Sequence, residues 1–345
     1  MRMTKEEALD LFASEDLIGV GMAAHQVRKT KNDPRIVTYQ IDRNINYTNF
    51  CTEYCSFCAF YRPLGHREGY LLTFEQIFQK IDEMLELGGT GVLLQGGLHP
   101  DLRIEYYENL LRTLKQRYPR VHLHCFSAPE ILCIAEVSGL SVRDTIARLH
   151  EAGLDSIPGA GAEILDDEVR GRIARLKCTS DEWEQVHRTA HALGMRTTAT
   201  MMFGCGETLA HRVLHFERIR QLQEETGGFT AFIPWMFQRE GTSLGRFIKE
   251  EATGADYLRT LAISRIYLDN IWNVQASWLT PGIQLGQVAL RFGGNDLGSI
   301  LIEENVVSTA GCANRTNEEE LRHVIREAGF RPVKRDTLYR TFFLQ

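Results

Sequence analysis

Short apolar runs alternate with longer segments of helical spacing along most of this chain. Residues 36–41 alternate as a strand, and after a capping box at Thr73 apolar residues recur every three or four positions as far as Leu85. A second apolar strand is predicted at 91–95. Repeated strand–helix units with short connections favour a parallel sheet, so the pattern predicts an α/β protein.

The alternation continues through the rest of the chain. Further strands are predicted at 121–126, 154–157, 195–202, 229–234 and 273–278, and helices at 105–117, 142–152, 181–193, 211–225 and 256–270. The repeat predicts a closed TIM-type (β/α)8 barrel. An open doubly wound sheet is the alternative, although no GxGxxG follows the first strand.

The two ends of the chain differ from this repeat. Thr4 opens a capping box, and two helical stretches precede the first strand, so residues 1–35 are predicted as an N-terminal helical extension. Residues 36–316 form the predicted barrel domain. Residues 317–345 are predicted as a C-terminal helix and a tail packed on the barrel.

Composition narrows the class of protein. With 345 residues, 43% of them hydrophobic, the chain can bury one large core. The net charge of -6 argues against a general nucleic-acid binder. The charged N-terminus lacks an apolar leader and no apolar run approaches the length of a membrane span, so we expect a cytoplasmic protein with small-molecule partners and reduced thiols.

Three cysteines after the first strand are the strongest chemical signal. Cys51, Cys55 and Cys58 lie within eight residues of one another, so they can converge on one cluster in any fold. A closed cluster or zinc site uses four ligands, whereas three thiolates leave one metal position open for chemistry. One alternative is a zinc site completed by His66 or Cys125. More broadly, the non-enzyme alternative is an iron–sulfur or zinc protein with an electron-transfer or structural role.

The loops that follow other strands carry further candidates, because a barrel gathers its reactive groups at that face. Gly96 and Gly97 follow the second strand and expose backbone groups that suit a zwitterionic ligand, although a tight turn would also explain them. Glu163 and Glu207 could bind ribose hydroxyls or serve as bases. The alternative for both is a carboxylate favoured by a helix N-terminus.

Several loop residues could handle protons or charge. His66, His99 and Asp101 are candidates for proton transfer, although an isolated loop histidine is more often a surface residue. Arg62 and Arg67 could meet a carboxylate near the cysteines, with a solvated loop as the simpler explanation.

Two aromatic side chains have similar alternatives. Phe57 lies between two of the cysteines and could pack against an adenine, or it could belong to the core. Trp235 is interpreted first as barrel lining and second as a stacking wall for an aromatic substrate.

The CxxxCxxC loop resembles that of the radical S-adenosylmethionine (SAM) enzymes, as do Phe57 before its last cysteine and the glycine pair after the next strand. The resemblance implies that the three cysteines bind a 4Fe-4S cluster and that SAM chelates its open iron. It also implies the chemistry of a 5'-deoxyadenosyl radical, which these cofactors supply.

A closer resemblance runs from about residue 46 to residue 339. Segments 58–63, 94–97, 198–204, 225–235 and 303–307 look like the cyclic dehypoxanthinyl futalosine synthase family of menaquinone biosynthesis. The related aminofutalosine synthases and deazaflavin cofactor synthases are the alternatives within the superfamily. The chain departs from the family pattern at three positions, Leu98, Ala160 and Cys205.

This resemblance implies a substrate, dehypoxanthine futalosine, and a one-electron donor such as flavodoxin or ferredoxin. Hydrogen abstraction at the ribose C4' and attack of the carbon radical on the benzoate ring would give a spirocycle. Glu163, His66 and Asp101 are the candidates for catalytic proton transfer, and Arg62 and Arg291 are those for the benzoate carboxylate. The residues predicted to contact SAM are Phe57, Gln95, Gly96, Gly97, Ser127, Glu163 and Gly204.

Overall fold

The computed structural model describes residues 2–341, and ten parallel strands form its interior. The strands are β1 (Ile36–Gln40), β2 (Asp42–Ile45), β3 (Gly91–Leu94), β4 (His122–Cys125), β5 (Ser156–Ile157), β6 (Arg196–Phe203), β7 (Phe229–Met236), β8 (Asn273–Val274), β9 (Asp296–Ser299) and β10 (Arg331–Lys334). One sheet has the order β2-β3-β4-β5-β6-β7-β8, and the other has the order β10-β1-β9.

The helices lie mainly between consecutive strands. They are α1 (Lys5–Ala13), α2 (Leu17–Lys31), α3 (Phe74–Glu86), α4 (Ile104–Arg117), α5 (Ala128–Ser138), α6 (Val142–Ala152), α7 (Asp167–Ile173), α8 (Ser180–Ala192), α9 (Leu209–Thr226), α10 (Gly254–Tyr267), α11 (Ile283–Ala289) and α12 (Glu318–Glu327), with short 3-10 turns at Leu244–Arg246 and Ser308–Ala310. None of the helices within residues 2–341 combines the length and apolar character needed to cross a bilayer.

Helix α3 shows how local sequence sets these elements. The Gln76 backbone N–H donates to Thr73 Oγ1 at 3.3 Å, and the Thr73 N–H donates to Gln76 Oε1 at 2.8 Å. This reciprocal capping box fixes the start of the helix. Its inward residues Ile77, Ile81 and Met84 are all 0% exposed, as their spacing predicts.

The two sheets close into one ring. Strands β1 and β2 are separated only by Ile41, so one chain segment passes from the smaller sheet into the larger. Thr38 of β1 pairs with Asp296 of β9, and the Ala276 N–H, just after β8, donates to the Asp296 carbonyl at 2.8 Å. The predicted TIM-type barrel is therefore confirmed. β1 and β2 together form one of its eight strands.

The chain termini flank this ring. On the N-terminal side, α2 packs against α10, where the buried Arg28 donates from Nε to the Gly294 carbonyl at 2.9 Å. On the C-terminal side, β10 pairs with β1 on the side opposite β9, with Ile36 opposite Arg331. Part of the predicted C-terminal tail is therefore a strand, while its last residues, 342–345, lie outside the described residues.

Candidate active site

A cavity of about 430 Å³ opens beside the cysteine loop and extends into the barrel. Its lining includes all three cysteines and most of the predicted SAM contacts. The predicted site residues that it brings together are Cys51, Cys55, Cys58, Phe57, Gln95, Gly96, Gly97, Ser127 and Glu163.

Backbone hydrogen bonds hold the cysteine loop from two sides. The Cys51 N–H donates to the Arg62 carbonyl at 3.0 Å, which ties the start of the loop to its return. The Ser56 N–H donates to the Ile173 carbonyl at 2.9 Å, which ties its middle to the end of α7. The loop is thus held in place by contacts that do not involve its thiols.

The cysteine loop holds two thiols with raised pKa values, Cys51 and Cys55. Burial raises the pKa of Cys55 to about 12, and the neighbouring Cys58 and Cys51 contribute in the same direction. Burial also raises the pKa of Cys51. Thiols with raised pKa values carry protons at neutral pH, so metal binding here must release protons.

Two glycines let β3 approach the cysteine loop closely. A Cβ on Gly97 would lie 2.1 Å from the Phe50 carbonyl oxygen and 2.8 Å from Cys51 Cβ. A Cβ on Gly96 would lie 2.8 Å from the Tyr47 ring. The glycine pair is therefore required by the contact between these two segments, as well as lining the cavity.

Glu130 connects two ligand-facing segments, a role that the sequence reasoning missed. Its Oε1 accepts hydrogen bonds from the Gly96 N–H at 2.9 Å and the Tyr47 hydroxyl at 3.0 Å. Its Oε2 accepts from both the N–H and the hydroxyl of Ser127 at 2.7 Å. Residues 127–130 form the start of α5, with Ser127 as its N-cap, and their Ser-x-x-Glu spacing was the available signal.

Glu163 lies in the cavity wall with a buried cation. Its Oε1 is 3.0 Å from Lys177 Nζ and its Oε2 is 3.6 Å from Arg170 Nη1. Burial on its own lowers the pKa of Lys177. The nearby Glu163 carboxylate acts in the opposite direction, and the net result is a raised pKa for Lys177. Lys177 Nζ also lies 5.3 Å from the centre of the Phe57 ring. No motif marks Lys177 in the sequence, because it lies in the irregular segment between α7 and α8.

Three predicted site residues do not line the cavity. His66 Nδ1 accepts a hydrogen bond from the Glu68 N–H at 3.2 Å, within its own loop. Asp101 is exposed, and Gly204 donates its N–H to Glu207 Oε1 at 2.8 Å. Glu207 therefore accepts a hydrogen bond within a local turn. His66, Asp101 and Gly204 are not among the described residues that line the cavity.

The arginines predicted to bind a carboxylate also lie elsewhere. Arg62 donates from Nε to Glu68 at 2.9 Å, and Arg291 stacks over the Phe330 ring at 4.3 Å. Within residues 2–341, the cationic side chains that line the cavity are Lys177 and Arg335. Two further candidates, His99 and Arg67, are also absent from the lining.

The deep end of the cavity is closed by a paired group of polar side chains. Arg335 Nη2 lies 2.8 Å from Asp296 Oδ1, and its Nη1 donates to Gln40 Oε1 at 2.6 Å. Asp42 accepts hydrogen bonds from the Ser299 hydroxyl and the Gln40 amide. We call these five residues the floor, and the cysteine loop with its neighbours Glu163 and Lys177 the mouth.

Family models match both parts of the chain. Residues 45–219 match the model of the radical SAM superfamily, which covers the cysteine loop and the strands as far as β6. The chain belongs to the radical SAM superfamily. Residues 226–343 match the model of the CofH/MqnC C-terminal region.

Three known proteins are similar to this radical SAM protein over nearly its whole length. The cyclic dehypoxanthine futalosine synthase of Halalkalibacterium halodurans is 48% identical, over 99% of this chain and 92% of the relative. The 5-amino-6-(D-ribitylamino)uracil–L-tyrosine 4-hydroxyphenyl transferase of Methanothermobacter thermautotrophicus is 43% identical, over 98% and 94%. The crystal structure of methylornithine synthase shares the fold, with a TM-score of 0.74 at 19% identity over 96% and 95%.

Radical SAM enzymes use a 4Fe-4S cluster and SAM, and the residues of the mouth fit both. Within the described residues no three His, Cys, Asp or Glu side chains are placed to hold a single metal ion, whereas in a 4Fe-4S cluster each thiolate binds its own iron. Glu163 Oε2 is buried without a hydrogen-bond partner and can accept a donor of SAM. Cys51, Cys55 and Cys58 would hold the cluster.

Proposed function

We propose that this radical SAM enzyme converts dehypoxanthine futalosine to cyclic dehypoxanthinyl futalosine in menaquinone biosynthesis. In this reaction a hydrogen atom leaves the ribose C4', the carbon radical attacks the benzoate ring of the same molecule, and the ring then loses a proton and an electron. The observation that carries the proposal is the 48% identity, over nearly the full length of both chains, to a relative named for this reaction.

The bound cluster and SAM supply the 5'-deoxyadenosyl radical that removes the hydrogen atom. The protein has to hold the two reacting parts of one substrate molecule in a near-attack geometry. The half-buried Trp235 lines the cavity and offers an aromatic face to the benzoate ring. Lys177 and Arg335 line it as well, and of these two Lys177 lies nearer the cysteine loop, so we assign the benzoate carboxylate to Lys177.

Glu163 is the proposed proton acceptor. Its carboxylate is ion-paired with Lys177 and Arg170, and within residues 2–341 its Oε2 accepts no hydrogen bond. This oxygen can accept a hydrogen bond from SAM in the ground state and a proton from the ring later in the reaction. His66 and Asp101, which were predicted for the same role, do not line the cavity. We further propose that flavodoxin or ferredoxin supplies the electron.

Product analysis tests the proposal. Anaerobic, cluster-loaded enzyme with dithionite, SAM and dehypoxanthine futalosine should release 5'-deoxyadenosine and a product that has lost two hydrogen atoms, measured by mass spectrometry. Parallel reactions should offer the aminofutalosine precursor, or 5-amino-6-(D-ribitylamino)uracil with tyrosine, the substrate pair in the name of the methanogen relative. Turnover of either in place of dehypoxanthine futalosine would refute the proposal.

A further inference from the structure

The β1–β2 segment and the residue just beyond it carry a row of polar side chains. Gln40, Asp42 and Asn44 are alternate residues of the β1–β2 segment, and Asn46 continues the alternation one residue beyond β2. All four line the cavity, and each is at most 9% exposed. The interior of a (β/α)8 barrel is usually filled by bulky branched residues, so this row is unusual.

The two halves of the row differ in their hydrogen bonding. Gln40 and Asp42 belong to the floor and are bonded within it. Asn44 Oδ1 and Asn46 Oδ1 are buried, and neither has a hydrogen-bond partner among residues 2–341. Asn46 donates from Nδ2 to the Gln95 carbonyl at 3.3 Å, so its amide nitrogen is used and its oxygen is left over.

Other oxygens in the cavity share this property. Glu53 Oε2 and Glu163 Oε2 are also buried and accept no hydrogen bond from the described part of the chain, although Glu163 Oε2 lies 3.6 Å from Arg170 Nη1. Both residues line the same cavity. All four atoms are hydrogen-bond acceptors, so together they match a ligand that is rich in donors. Buried acceptors are rarely left unpaired in proteins, and exceptions call for an explanation such as a missing ligand.

The four acceptors belong to two groups. Glu53 lies inside the cysteine loop, and Glu163 is electrostatically coupled to Cys55, so both suit donors of SAM. Asn44 lies in β2 and Asn46 lies just after it, before the cysteine loop. Neutral amide oxygens suit hydroxyl donors, which bring no charge to be balanced.

We propose that Asn44 and Asn46 form a subsite that accepts hydrogen bonds from the sugar hydroxyls of the substrate. This inference rests on the proposed function, which supplies a substrate with a ribose. The subsite would hold the ribose against β2, next to Gln95 and the glycine pair at the end of β3. The benzoate would then extend along the rest of the cavity.

Binding of dehypoxanthine futalosine to the cluster-loaded enzyme tests the subsite, measured by anaerobic calorimetry without reductant. Asn44→Leu keeps a similar volume and removes the acceptor, and we expect binding about tenfold weaker or more. Affinity for SAM should be unchanged. The matched control is Asn270→Leu, because Asn270 Oδ1 is also buried without a partner but lies outside the cavity lining. That variant should bind like the wild type.

The melting temperature of the free protein distinguishes a subsite that a substrate fills from one in which water already satisfies the Asn44 oxygen. If no partner satisfies Asn44 Oδ1 in the free protein, Asn44→Leu should melt at the wild-type temperature or above it. A lower melting temperature in Asn44→Leu and in the smaller Asn44→Ala would indicate that water already satisfies the oxygen, and would overturn the subsite. Wild-type affinity in both variants would overturn it as well. Failure of the wild type to bind dehypoxanthine futalosine would instead overturn the proposed function.

Discussion

The floor and the mouth of one cavity treat buried charge differently. At the floor, the Arg335 guanidinium is 3% exposed and is paired with Asp296, which is 0% exposed. At the mouth, Glu163 is almost as deeply buried and is ion-paired with Lys177 and Arg170, yet within the described residues its Oε2 accepts no hydrogen bond. The same barrel therefore contains a group bonded within itself and a group with unused bonding capacity.

This difference teaches which part of the cavity stabilises the fold and which part binds. A buried ion pair that keeps all its partners rigidifies its surroundings, and removing one partner is costly. A buried oxygen without a partner lowers stability and persists where function needs it. We therefore expect floor substitutions to change unfolding and mouth substitutions to change chemistry.

Loss of a cysteine at the mouth should have the largest effect. If Cys55 is a ligand of the cluster, as we propose, then in Cys55→Ala the formation of 5'-deoxyadenosine should fall by more than the roughly 100-fold that loss of an outer-sphere partner costs. Cys312→Ala is the control, because Cys312 is also buried but does not line the cavity. Iron content and deoxyadenosine yield measure both variants. Wild-type values in Cys55→Ala would contradict the assignment.

Breaking the floor should come next. Arg335→Met leaves the Asp296 carboxylate buried without its cation, and we expect a loss of about 3–5 kcal/mol in the free energy of unfolding. Urea denaturation of the metal-free protein measures it. Arg35→Met breaks the exposed pair with Asp33 and should change stability little. Equal effects in both variants would refute the contrast between a buried floor and a solvated surface.

Acid should weaken the deep end of the cavity by a smaller amount. Burial lowers the pKa of His124 to about 3, and Arg335 contributes in the same direction. The folded protein keeps this ring neutral while the unfolded chain, with a pKa near 6.5, takes up a proton as the pH falls. Stability should therefore drop by about 1.4 kcal/mol per pH unit below pH ~6.5 from this group.

The control for that pH dependence is His124→Gln, which lacks the titrating ring. Its unfolding free energy should fall less steeply between pH 6.5 and 5 than that of the wild type, by the contribution of one proton. Parallel curves for the two proteins would contradict the assignment.

His66→Ala should have the smallest effect. The ring is held in its own loop and does not line the cavity, so turnover should stay within about twofold of the wild type. Product formation under saturating SAM measures this. A loss of turnover of tenfold or more would contradict this expectation. It would show that the loop around His66 takes part in the reaction and belongs to the mouth.

The fold was largely predictable because hydrophobic period alone distinguishes strands from helices. The exceptions are strands that lack this periodicity. β9 has the sequence Asp-Leu-Gly-Ser and β10 contains Pro332, so neither gives an apolar alternation. Each forms because β1 offers it a partner, and that partner is distant in the sequence.

That the three cysteines would lie together at the cavity was predictable because all three lie in one short loop. Lys177 and Arg335 were not, because their roles arise from partners, Glu163 and Asp296, that only tertiary structure brings close. The row from Gln40 to Asn46 was visible in the sequence as polar residues with a period of two, the pattern of one strand face.

Pairing between β1 and β10 has a consequence for the synthesis of this protein. β1 is the first strand to be synthesised, but it can pair with β10 only when almost all of the described chain has been made. Until then the edge of β1 is exposed, and contacts of such long sequence separation form slowly. Arg335, which lies just past β10, closes the floor at the same late moment. A cluster that bound during translation would therefore enter a barrel that is still open.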